Sequence, residues 1–115
     1  MHEFSIVWEM IKLAEQELQK AGCGGKVNSI TIAVGKLSGA NPDSVRFAYD
    51  VIAPQTRVRG AKLIIKEPNA LCRCKTCGNT NELTAHDYFC PACGSGDIII
   101  EGGRDLRLES IELED

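Results

Sequence analysis

The chain has 115 residues, 43% of them hydrophobic and 25% charged, with six cysteines, a formal net charge of −3 and a pI near 5.4. That length holds one packed core plus a small metal-stapled lobe, and the acidic balance, with only 5% aromatic residues, argues against a module that grips a nucleic-acid backbone. No segment approaches the roughly eighteen apolar residues of a membrane span and no basic leader opens the chain, so a cytoplasmic protein is expected, its cysteines metal ligands rather than a disulfide framework.

Met1-His2-Glu3 runs directly into a helical pattern in which Phe4, Val7, Met10 or Ile11, Ala14, Leu18 and Ala21 fall on one apolar stripe. Gly22 ends it, and Cys23 in the following glycine-rich turn reads as a free surface thiol. From Val27 to Val34, Ile30, Ile32 and Val34 alternate with Ser29, Thr31 and Ala33, the period of a strand with one buried face. Asn41-Pro42-Asp43 reads as an N-cap, a first-turn proline and an acidic first turn, opening a helix through Val45, Ala48, Val51 and Ile52 that Pro54 closes. Ala61, Leu63 and Ile65 mark a second strand that runs out at Pro68.

Next come Cys74-Lys-Thr-Cys77-Gly, twelve residues, and Cys90-Pro-Ala-Cys93-Gly. Each Cys-x-x-Cys turn aims two sulfurs inward and leaves backbone N–H groups to solvate the thiolates, while Gly78 and Gly94 supply the backbone freedom the turn requires. Two such knuckles complete a zinc tetrahedron with no open position for substrate. Paired disulfides or a redox Cys-x-x-Cys explain neither the repeat nor the glycine after each second cysteine. Arg73 and Lys75 lie nearby to offset the thiolate charge, Cys72 reads as a packed thiol and His86 as an exposed loop histidine.

Ile98-Ile99-Ile100 leads back to Gly102 and Gly103, a candidate hinge. In the last segment Leu106 and Leu108 lie on one phase and Ile111 and Leu113 on the other, so a strand through all four needs a bulge near Glu109-Ser110 or burial on both faces. The expected fold is α+β: two helices packed on a small mixed β-sheet, with an inserted four-cysteine zinc-ribbon-like lobe. Residues 1–68 and 103–115 form the α+β domain and 69–102 the lobe.

His2 has its own chemistry. A free α-amine, the His2 amide nitrogen and His2 Nδ1 close five- and six-membered chelate rings in one plane, an arrangement that suits Ni(II) or Cu(II) better than tetrahedral Zn(II). Amides in the first helical turn lack intrahelical acceptors, so deprotonating one breaks no helix hydrogen bond. A fourth donor is open among Glu3, Asn41, Asp43 and a partner protein.

The Met1-His2-Glu3 start on an amphipathic helix, the Gly35-Lys36-Leu37-Ser38 strand exit, the helix after Pro42 and the paired knuckles together resemble the HypA/HybF family of nickel metallochaperones for hydrogenase maturation. The resemblance implies an α+β domain that binds Ni(2+) through His2 and Glu3, and a structural Zn(2+) held by Cys74, Cys77, Cys90 and Cys93. It further implies delivery of nickel to the [NiFe]-hydrogenase large subunit together with the HypB GTPase, with a homodimer as a further state. No catalysis is expected: no Ser-His-Asp set or phosphate-binding glycine loop is present, and a closed four-cysteine zinc activates no water. The competing reading is a zinc-ribbon adaptor or nucleic-acid-binding protein whose basic patch is Arg57, Arg59, Lys62, Lys66, Arg73 and Lys75.

Overall fold

The computed structural model of the protein describes residues 3–83 and 88–114. In chain order it contains α1 (Glu3–Lys20), β1 (Val27–Val34), α2 (Pro42–Ile52), a 3-10 turn (Ala53–Gln55), β2 (Lys62–Lys66), β3 (Ala70–Cys74), β4 (Thr80–Leu83), β5 (Ile98–Gly102) and β6 (Leu106–Leu113). Two three-stranded sheets result, ordered β2-β1-β6 and β4-β3-β5.

In α1, the buried residues are Val7, Met10, Ile11, Ala14 and Leu18, the stripe its periodicity predicts. Gly22, at φ 66°, ends the helix: its N–H donates to the Gln19 carbonyl and the Cys23 N–H to the Leu18 carbonyl, the two bonds of a Schellman turn. Both ends of the expected stripe depart from it. Ala21 is exposed, and Phe4 is 46% exposed, standing edge-on to Phe47 of α2 with ring centroids 6.2 Å apart. Cys23 is half-buried against the main core rather than a surface thiol, because the Schellman turn folds it back over the helix.

β1 pairs parallel with β2 and antiparallel with β6. On the face away from Ile30, Ile32 and Val34 the small Ser29 and Ala33 lie between longer cross-strand neighbours, Lys62 and Glu112 beside Ser29 and Lys66 and Arg107 beside Ala33. Ser29 (7% exposed) and Ala33 (0%) are therefore buried along with Ile30, Ile32 and Val34, where alternation alone predicted one buried face. In β6 the register passes from Ile32↔Leu108 to Thr31↔Ser110, leaving Glu109 as the extra residue of a bulge. The bulge corrects the phase, so Leu106, Leu108, Ile111 and Leu113 all pack against the main core. In α2 the Asn41 side chain accepts from the Asp43 and Ser44 N–H groups at 2.8 and 3.1 Å, the expected cap.

The turn at residues 21–26 reverses the chain, so α1 runs antiparallel to β1. Parallel pairing of β1 with β2 makes the intervening α2 antiparallel to both strands. The two helices are therefore parallel and begin at one end of the sheet, where β1 and β2 end and β6 starts. The second sheet joins at that same end, between β2 and β6.

The junction is a set of backbone hydrogen bonds: Gly35 N–H to the Asp105 carbonyl (2.7 Å), Lys36 N–H to Pro68 (3.0 Å) and Leu37 N–H to Gly103 (2.7 Å). Leu37 is inserted among Ala70, Cys72 and Leu83, the small core of the second sheet. Gly102 and Gly103 stand at φ 74° and 75°, and a Cβ on Gly103 would lie 2.7 Å from that of Ala70, so close approach as well as backbone conformation requires glycine at 103.

Tyr49 ties α2 to the strand below. Its hydroxyl donates to the Ala61 carbonyl at 2.9 Å, and burial, then the Asp50 carboxylate, push its pKa up to about 12. A raised acid pKa gives stability that is intact below the unfolded value near 10 and lost as pH climbs toward 12. Tyr49→Phe is expected to cost about 1–2 kcal/mol at neutral pH, by orphaning the Ala61 carbonyl, and to flatten the alkaline loss. Urea unfolding at pH 7 and pH 11 measures both.

Candidate metal centre

The first knuckle is the hairpin turn between β3 and β4, and the second leads into β5. Their backbones are bonded alike. In the first, Gly78 N–H donates to the Cys74 carbonyl (3.1 Å) and Cys74 N–H to that of Asn79 (3.0 Å). In the second, Gly94 N–H donates to Cys90 (2.8 Å) and Cys90 N–H to Ser95 (2.8 Å). Gly78 and Gly94 sit at φ 77° and 78°, the left-handed conformation each turn requires. The knuckles are linked by a Thr76–Ser95 hydroxyl contact at 2.8 Å and by the Lys75 N–H donating to Asp97 at 2.9 Å.

Together these turns bring the Sγ atoms of Cys74, Cys77, Cys90 and Cys93 within 4.8 Å of one another. Cys74 to Cys93 is 3.6 Å and Cys77 to Cys90 is 3.7 Å. Sulfurs about 2.3 Å from a tetrahedral zinc stand about 3.8 Å apart, whereas a disulfide brings them to about 2.05 Å. The spacing fits a closed metal cage with four thiolate donors.

The cage is electrostatically asymmetric. The first cysteine of each knuckle is buried and its thiolate is stabilised by backbone N–H groups: Cys77 N–H, 3.4 Å away, and then Thr76 N–H lower Cys74 to about 6, and those of Cys93 and Ala92 lower Cys90. The second cysteines are exposed and titrate upward. The Ser95 N–H pulls Cys93 down, but sharing a proton with Cys74 and losing water hold it near 12. Cys77 is likewise raised, the Asn79 N–H being outweighed by burial and the Cys74 and Cys90 sulfurs. Each lowered thiol thus faces a raised one across the cage, and a metal entering it displaces the protons the thiols carry.

Cys72 lies on the same face of β3 as Cys74 but outside the cage. It is 0% exposed among Leu37, Ala70 and Leu83, and burial, then the sulfurs of Cys90, Cys74 and Cys77, push its thiol up. It is a packing residue. Arg73, on the opposite face, does not offset the thiolates: its guanidinium pairs with Glu101 at 3.0 Å. Backbone N–H groups do that work. Leu37, which packs into the small core of the second sheet, was marked in the sequence only as part of the strand exit after Gly35, because its partner residues are remote in the chain.

Of the N-terminal pair, Glu3 is half-buried as the first residue of α1, whereas His2 and His86 lie outside the described residues. Asn41 Oδ1 is engaged by two cap N–H groups, which leaves the exposed Asp43 carboxylate as the acidic side chain in the first turn of α2. Three of the six basic residues of the competing reading are engaged within the chain. Arg57 donates to the Cys23 and Gly25 carbonyls, Lys66 pairs with Glu109 at 3.4 Å, and Arg73 with Glu101.

A family model described as hydrogenase/urease nickel incorporation, metallochaperone, matches residues 1–113. The hydrogenase maturation factor HypA of Chlorobaculum parvum is 36% identical over 114 residues, covering 99% of this chain and 100% of that one. The same factor from Caldanaerobacter subterraneus subsp. tengcongensis is 33% identical over 115 residues, covering 99% and 100%. The solution structure of the Ni metallochaperone HypA from Helicobacter pylori is similar with a TM-score of 0.67 at 29% identity, covering 98% of this chain and 97% of that one.

Proposed function

Because the chain belongs to the HypA family of nickel-incorporation metallochaperones for hydrogenase maturation, we propose that it carries Ni(II) on His2 and Glu3 at the head of α1 while Cys74, Cys77, Cys90 and Cys93 hold a structural Zn(II). Residues 1–68 with 103–115 then form the nickel-handling domain and 69–102 the zinc lobe. Nickel is cargo: the chain binds and releases it and makes no covalent change.

The observation that carries this reading is the common origin of the two helices. Glu3 opens α1 at the end of the sheet where α2 begins, so Asp43 in α2's first turn is the loop carboxylate best placed to add a donor. First-turn amides have no helical acceptor to lose, which suits an amide nitrogen as ligand. Delivery in the cytoplasm to the [NiFe]-hydrogenase large subunit, with the HypB GTPase, completes the proposal and agrees with the family's part in hydrogenase maturation.

Metal analysis after nickel loading is expected to find one zinc and one exchangeable nickel per chain. His2→Ala should weaken nickel by about a hundredfold or more, about 2.8 kcal/mol, with zinc retained. Acidification should release nickel first, since the imidazole, ordinarily titrating at about 6.5, regains its proton. Comparison of N-terminally acetylated and native protein tests the share of the Met1 amine. Zinc alone with no nickel uptake, or nickel affinity unchanged in His2→Ala, rejects the assignment.

A further inference from the structure

The large apolar side chains left exposed among the described residues are not scattered evenly. Phe4, Trp8, Phe47 and Val51 gather where α1 and α2 run side by side, and the Phe4 and Phe47 rings already touch. Trp8 is one turn beyond Phe4 and Val51 one turn beyond Phe47, so two i, i+4 rows border the seam between the parallel helices. A groove of about 320 Å³ lies there, lined by Phe4, Ser5, Trp8 and Glu9 of α1 and by Ile52 of α2. Half of the chain's aromatic residues stand on this one surface. Single exposed apolar side chains need no explanation, whereas a contiguous aromatic patch marks a contact surface.

The borders of the groove are acidic. Glu9 on α1 and Asp43 and Asp50 on α2 are exposed, and none of them is in an ion pair among the described residues. The two cations nearby are already engaged: Lys12 Nζ stands 5.1 Å from the centroid of the Trp8 ring, and the Arg46 guanidinium donates to the Leu63 carbonyl at 3.1 Å. Such a border selects its occupant. An anionic membrane surface is repelled by it, and a second copy of this chain would set acid against acid. An apolar stripe flanked by Lys and Arg meets both requirements, and a helix with apolar residues at i, i+4 and i+7 fits a groove between two parallel helices.

We propose that the α1–α2 groove docks a basic amphipathic helix of another protein, its apolar stripe seated among Phe4, Trp8, Phe47 and Val51 and its flanking Lys and Arg residues facing Glu9, Asp43 and Asp50. The groove starts at Phe4, one residue after Glu3, so a protein held there lies beside the proposed nickel ligands. The inference rests on the nickel reading for the purpose of that contact, but the groove is tested without nickel, so the two fail separately. Phe47, 63% exposed, is the anchor whose loss costs most.

The probe is a synthetic helical peptide of about 18 residues with a Leu stripe flanked by Lys. It is titrated into zinc-loaded, nickel-free protein and followed by amide NMR and by the fluorescence of Trp8, the single tryptophan. A dissociation constant of about 100 μM or tighter is expected, with shifts centred on residues 3–12 and 43–52. The same stripe flanked by Glu should bind about tenfold more weakly or worse. Phe47→Ser should weaken the Lys peptide by about tenfold or more. Glu9→Lys combined with Asp50→Lys should invert the preference, the Glu peptide now binding the tighter, a result that loss of structure cannot produce. All three side chains are exposed, so unfolding midpoints and zinc content should stay unchanged. Vesicles of phosphatidylcholine with phosphatidylglycerol should leave the protein in solution. No binding of the Lys peptide, shifts centred elsewhere, equal affinity for the two peptides, a preference that survives the charge reversal, or co-sedimentation with the vesicles overturns the proposal.

Discussion

If the four-cysteine cage holds zinc as proposed, Cys74→Ser is expected to empty it and unfold the second sheet while α1, α2 and the first sheet persist. The apolar support of that lobe is small: Leu37, Ala70, Cys72 and Leu83 are buried, with Ile98 and Ile100 half-buried against them. So little core does not hold three short strands, and the knuckles supply the rest by joining the β3–β4 hairpin to the start of β5. Structural zinc contributes about 10–16 kcal/mol to such modules, all of it coupled to folding. Cys74 is the most damaging ligand to lose, because its thiolate is both buried and already favoured by two knuckle N–H groups. A serine hydroxyl there keeps its proton and binds zinc weakly, and affinity should fall by on the order of a thousandfold or more. Zinc stoichiometry with amide NMR of residues 70–83 and 98–102 measures both effects. Cys72→Ala is the control, expected to keep its zinc because that thiol is outside the cage. Retention of full zinc by Cys74→Ser with an ordered lobe would contradict the cage.

Gly35→Ala should be nearly as severe for a different reason. An added Cβ would lie 2.2 Å from the Gly103 carbonyl oxygen, 2.4 Å from its carbon and 2.7 Å from the Asp105 nitrogen. All three atoms are backbone, so no side-chain rotation relieves the overlap. The strand connections must separate, and the Gly35 and Leu37 N–H bonds to Asp105 and Gly103, both 2.7 Å, stretch or break. The expected loss is about 3 kcal/mol or more from a total of about 5–15. Since those bonds join the two sheets, the variant should also lose cooperativity, the lobe detaching at a lower urea concentration than the helices. Parallel unfolding curves from far-ultraviolet circular dichroism and from zinc release test this; coincident, unshifted curves would refute it.

Much of the molecule was legible in the chain because it depends on neighbours in sequence. The α1 stripe, the β1 span, the Asn41 cap with Pro42 behind it and the glycine after each knuckle are set by backbone geometry over a few residues, and the structure has each of them. The cage belongs to this group: two Cys-x-x-Cys turns of fixed shape aim sulfurs inward whatever lies between them. The bulge at Glu109 was also readable, since two out-of-phase apolar pairs on one buried face require an extra residue. What tertiary structure alone decided is which faces are covered. Periodicity tells that Phe4 and Val51 lie on apolar stripes but not that each stripe outruns its partner, leaving them 46% and 51% exposed. Alternation gives β1 one apolar face, yet Ser29 and Ala33 on the other are buried too, small residues between longer cross-strand neighbours. Gly103 reads as freedom in sequence and is in fact a close crossing with Ala70 and Gly35, and Arg73 turns from the thiolates to Glu101. The common cause is that packing partners come from residues tens of positions away, and local dihedral preference carries no information about which of them arrives.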